Sequence, residues 1–67
     1  MISYEPLWKT MSMKKISTYK LIQEGIDKRT IYNLKHGESI TMITAERLCK
    51  IIDCRIEDIV EFIDDTK

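Results

Sequence analysis

Lys28, Arg29 and Asn33 fall on one short stretch, KRTIYNLKH, whose long polar side chains are of the kind that read base-pair edges. The planar fork of Arg29 matches the O6 and N7 acceptors of guanine, and such a bidentate pair discriminates by ~1 to 3 kcal/mol. Asn33 carries the adjacent donor and acceptor that adenine N6 and N7 require. Lys28 can act like Arg29 or bind phosphate. These three are the expected base contacts. Around them lie hydroxyls, charges and helix starts suited to phosphate: Ser17, Thr18, Lys20, Tyr32, Lys35, His36, Ser39 and Thr41. Phosphate contacts position a protein without specifying sequence. Tyr32 is open to two roles, covering the helix flank or reaching a phosphate, and Thr30 is expected to pack. Asp27 repels phosphate unless Lys28 masks it or cytosine N4 donates to it. Each basic residue could also be an ordinary solvated side chain.

The elements that must hold these groups are legible from their ends. Ser17 can cap a helix starting at Thr18, because its hydroxyl accepts one of the first free N–H groups. Gly25 can take the positive φ that stops this helix after Glu24. Ile26 is an apolar anchor, and Asp27 caps a second helix from Lys28 to about Lys35, with Ile31 and Leu34 facing inward. Gly37 closes it. Two helices joined by a short turn containing glycine can present the second to a groove. Upstream, Ser3 is expected to cap a first helix with Pro6 near its start and Tyr4, Leu7, Trp8 and Met11 on one face. Trp8 and Tyr4 are expected in the core.

Downstream, Glu38 and Ser39 form a link, Ile40 drops inward and Thr41 caps a fourth helix, striped by Ala45, Leu48, Cys49 and Ile52. A fifth helix is expected from about Ile56 to Phe62, with Glu57 and Asp58 in its first turn and Ile59, Val60, Phe62 and Ile63 apolar. Residues 1–3 and 64–67 are expected to fray. There are no repeats and no strand-like alternation. The expectation is one all-α, five-helix domain over residues 1–67.

The 67 residues allow a single small core, of a size that rarely supplies more than roughly 3 to 5 kcal/mol. A homodimer would relieve both that marginal stability and an apolar patch, and Ile59, Phe62 and Ile63 are the expected contact. Formal charge is zero, which argues against indiscriminate coating of nucleic acid. The charge is nonetheless divided: residues 1–36 hold seven basic and three acidic side chains, residues 37–67 four basic and eight acidic. Such a chain can turn its basic half to phosphate. Cys49 and Cys54 fit no familiar zinc spacing and are expected as reduced core residues. His36 has no partner in a nucleophile–base set, so neither an enzyme nor a cofactor or metal site is expected, nor a small-molecule ligand. No apolar run approaches a membrane span and no signal-peptide profile stands at the start, giving a cytoplasmic expectation.

The run Leu21, Gly25-Ile26-Asp27, Thr30-Ile31, Leu34 and Gly37 resembles the Cro/C1-type (XRE-like) helix-turn-helix family of regulators, and TAERLCKIIDCRIEDIVEFI is similar to the last two helices of its small stand-alone members. The resemblance covers Tyr4 to Ile63. It implies a lambda-repressor-like fold in which Ser17 to Glu24 crosses the DNA backbone and Asp27 to Lys35 is the recognition helix. It places Lys28, Arg29 and Asn33 at base edges and Thr18 at a phosphate. The chain departs from the family by a helix one residue shorter before Gly25, and by Glu38, Ser39 and Ile40 where some relatives are basic. The function implied is a sequence-specific transcriptional regulator on double-stranded DNA, dimeric on a two-fold operator. A protein-binding module on the same fold, antitoxin-like or anti-repressor, is the alternative that the acidic second half supports.

Overall fold

The computed structural model describes residues 1–64. Its elements are β1 (Ile2–Ser3), α1 (Glu5–Lys14), α2 (Thr18–Gln23), α3 (Lys28–His36), α4 (Met42–Ile52), a single 3-10 turn at Ile56–Asp58, and β2 (Glu61–Phe62). The fold is all-helical in its body. Three of the expected caps form: Ser17, Asp27 and Thr41 each accept a hydrogen bond from a backbone N–H of the helix they precede. Ser3 acts one step early. Its hydroxyl accepts from the Glu5 N–H at 3.2 Å, while the residue flanking α1 is Tyr4.

The core gathers one stripe from each helix. Tyr4, Leu7, Met11, Leu21, Ile26, Ile31, Leu34, Leu48, Ile52 and Ile59 form one buried cluster, with Trp8, Ile16, Ile40, Cys49 and Cys54 half-buried against it. Burying an aliphatic side chain of this size stabilises by ~1.5 to 3 kcal/mol, so this cluster fixes how the helices sit. Polar ties add direction. The Tyr4 hydroxyl donates to the Glu38 carbonyl at 2.7 Å, joining the start of α1 to the segment after α3. Thr10 donates to the Asp58 carbonyl and Lys14 to the Asp53 carbonyl, each at 2.9 Å, so α1 also holds the C-terminal turn and the end of α4.

The C-terminal region corrects the expected fifth helix. Asp58 Oδ2 accepts from the Arg55 N–H at 3.2 Å and closes one 3-10 turn, after which the chain extends. Ile59 and Val60 are β-branched and stiff, which disfavours continuing a short helix and suits an extended strand. That strand finds a partner at the far end of the chain. Ile2 pairs with Phe62 and Ser3 with Glu61 in an antiparallel ladder, which Met1 and Ile63 extend by exchanging both backbone bonds, at 3.2 and 2.8 Å. Residues 1–3, expected to fray, are therefore paired. Of the tail, 65–67 lie outside the described residues.

Candidate nucleic-acid interface

The interface is built on the turn between α2 and α3. Ser17 Oγ accepts from the Lys20 N–H at 3.2 Å, fixing the start of α2. At its other end the Glu24, Gly25 and Ile26 N–H groups donate to carbonyls of Lys20, Leu21 and Ile22 at 3.0 to 3.1 Å. Gly25 stands at φ +106°, a conformation that side chains rarely adopt. Ile26 is then driven into the core, only 3% exposed, and anchors the turn. Asp27 Oδ1 accepts from the Thr30 N–H at 2.9 Å. Hydrogen bonds from Thr30 hold the Asp27 carboxyl below the usual carboxylate value, with smaller help from the positive charges of Arg47 and Arg29. The capping anion is secure at neutral pH.

Packing then decides which way α3 faces. Ile31 and Leu34 are buried at 7% and 1%, so the helix is pinned by its inner stripe. Lys28, Arg29, Tyr32, Lys35 and His36 are exposed; Thr30 and Asn33 are half-buried on the flanks. Lys28, Arg29 and Tyr32 line one shallow, open groove at the start of the helix. Among the described residues no salt bridge ties down Lys28, Arg29 or Lys35. The Tyr32 ring instead stacks on His36, with centroids 4.0 Å apart and planes at 18°, and His36 Nδ1 lies 2.9 Å from the Tyr32 carbonyl. Tyr32 therefore covers the helix flank while keeping its edge accessible.

The surrounding polar residues differ in how free they are. Thr18 is half-buried at the start of α2, and Ser17 and Ser39 are exposed. Lys20 pairs with Glu24 at 3.1 Å, one turn along α2, so its charge is shared. The Thr41 hydroxyl is engaged twice, accepting from the Thr44 N–H at 3.1 Å and donating to Thr44 Oγ1 at 2.9 Å. One residue escaped the sequence reading. Arg47 of α4 reaches the turn itself, Nη2 donating to the Gly25 carbonyl at 3.4 Å. Nothing local in the sequence connects positions 25 and 47.

The three residues expected at a dimer contact separate. Ile59 is wholly buried and closes the core, whereas Phe62 is 84% and Ile63 41% exposed. Phe62 borders an apolar groove of ≈ 210 Å³ that Ile2, Tyr4, Ile40, Met42, Ile56 and Val60 also line. Cys49 and Cys54 are half-buried; burial raises both thiols, that of Cys54 to about 11. Among the described residues, no three potential ligands gather as a metal site, and no helix is long and apolar enough to cross a membrane.

A short α2, a turn at positive φ and an α3 pinned on its inner side with its cationic side exposed define a helix-turn-helix domain. Residues 6–65 match the Cro/C1-type HTH DNA-binding domain, and the chain belongs to that family. The fold is also that of the transcriptional regulator VanUg (crystal form II), with a TM-score of 0.86 at 23% identity over 96% of this chain and 87% of that one. No curated protein sequence matches the chain.

Proposed function

We propose that the protein is a sequence-specific transcriptional regulator that inserts α3 into the major groove, with Lys28, Arg29 and Asn33 at base edges. Ser17, Thr18, Lys20, Tyr32, Lys35, His36, Ser39 and Thr41 hold the flanking phosphates. The observation that carries this reading is the start of α3, where Lys28 and Arg29 stand exposed on a helix whose opposite side is locked into the core. Burial of Ile31 and Leu34 leaves these donors on the solvent side of the helix. Membership in a DNA-binding family and likeness to a transcriptional regulator support it. The chain acts as a homodimer on two half-sites about one helical turn apart, joined through the apolar surface around Phe62.

The test is selection from a pool of random duplexes at two salt concentrations. An enriched motif with two-fold symmetry, bound with an affinity that falls steeply with salt, is the expected result. Absence of any enriched motif would refute the reading. A protein-binding module remains the second reading because the same exposed apolar surface and acidic second half suit a protein partner. Salt-insensitive copurification with one protein, without selective DNA binding, would favour it.

A further inference from the structure

We infer that Arg47 is a positioning residue for sequence recognition: it holds the turn between α2 and α3 from the side of α4, and so sets the angle at which α3 meets the groove. The inference rests on the DNA-binding reading above and adds a residue that contacts no base in it. Three observations converge on the guanidinium. Nη2 donates to the Gly25 carbonyl at 3.4 Å, bridging residues 22 apart in sequence. A Cβ added at Gly25 would lie 2.8 Å from that same nitrogen, so Nη2 occupies the space that a side chain would fill at the one residue of the turn that has none. The positive charge of Arg47 is also among the causes that lower the Asp27 carboxyl, next after the Thr30 hydrogen bonds and opposed by desolvation.

The guanidinium acts on both sides of the turn, by a hydrogen bond at Gly25 and by its charge alone at Asp27. At Gly25 the guanidinium meets the carbonyl end of α2, where the helix dipole favours a cation. At Asp27 it favours the anion that caps α3. A single planar, permanently charged group on α4 therefore links the end of one helix to the start of the next. The other ties of the turn are local: backbone hydrogen bonds back into α2 and the Asp27 cap on α3, none of which reaches α4. Ile26 is its one buried side chain, and α2 is only six residues long. A base contact made from α3 depends on placement to within a fraction of an ångström, so a small rotation of the turn costs specificity before it costs folding.

The test compares Arg47→Ala and Arg47→Lys with the unaltered protein on the duplex enriched by selection and on a scrambled duplex, across a range of salt. Loss of one intramolecular hydrogen bond predicts that Arg47→Ala weakens the enriched duplex by about three- to tenfold. Binding to the scrambled duplex and the slope of affinity against salt should stay unchanged. Arg47→Lys should recover only part, since it restores charge without the fork. Hydrogen exchange of the free protein gives a reading without DNA: the Gly25 and Ile26 amides should exchange faster in Arg47→Ala while the Leu48 amide does not. Equal losses on both duplexes with a slope shallower by about one would make Arg47 a phosphate contact and overturn the inference. So would unaltered exchange at the turn, or unaltered affinity for the enriched duplex. A pool that yields no enriched duplex fails the DNA reading and this inference with it. A clear motif bound equally well by Arg47→Ala fails the inference alone.

Discussion

Arg29 and Lys35 lie on the same helix, both exposed and without a salt bridge among the described residues, yet the proposed function gives them different work. Arg29 stands in the first turn of α3 beside Lys28 and Tyr32, at the end proposed to meet the base edges. Lys35 is in the last turn, where a flexible ammonium near a phosphate adds charge without direction. Arg29→Ala should therefore lose discrimination at one base position, at a cost of ~1 to 3 kcal/mol on the preferred duplex and little on others. Lys35→Ala should weaken all duplexes similarly and flatten the salt dependence by about one. Binding titrations on matched and scrambled duplexes distinguish the two, and equal losses for Arg29→Ala would remove it from base reading. The chemistry of these side chains was legible in the sequence because it is carried by residue type. Arg47 was not, because its role arises only when α4 packs across the turn.

Among the elements, α3 begins on a charged side-chain cap. The Asp27 carboxyl accepts from Thr30, and its pKa is lowered from the ordinary value of 3.8. A group whose folded pKa is depressed contributes stability that is fully present above its unfolded pKa and lost as pH falls through the folded value. The cap is thus intact at neutral pH, and its contribution to stability begins to fall only as pH drops below the ordinary value of 3.8. Asp27→Asn keeps a good capping side chain but removes the titration, so the stability difference between the two proteins should change below about pH 4 and stay level above it. Thermal melts across that range check the sign. Elements bounded by such local chemistry were readable from sequence: Ser17, Asp27, Thr41 and Gly37 mark the ends of helices in the structure as expected. The stretch after Ile56 was not. Its apolar spacing suits a helix, but the outcome is decided by pairing with Ile2 and Ser3, a partner nearly the whole chain away.

At the scale of the molecule, the exposed apolar surface stands out. Phe62 at 84%, Met42 at 75% and Met1 at 71% exposure are costly to leave in water on a chain this small. If a second copy covers this surface, Phe62→Asp should yield a monomer by sedimentation that keeps the native helical signal, because the residue is not in the core. Met13→Asp, on α1 and equally exposed at 81% but outside the groove, should leave the assembly unchanged. A dimer that survives Phe62→Asp would place the contact elsewhere. The same substitution should reduce affinity for a two-half-site duplex far more than for one half-site, since linked binding is what it removes.

The ladder between β1 and β2 sets Met1 and Ile63 side by side. Neighbouring termini are what make circular permutation tolerable. In a chain cut to residues 1–63 a linker of a few residues could join Met1 to Ile63, with new ends opened in the exposed stretch 37–39 between α3 and α4. The permuted chain would keep the same core and carry α3, the proposed DNA-facing helix, near its new terminus, where other domains could be attached beside it.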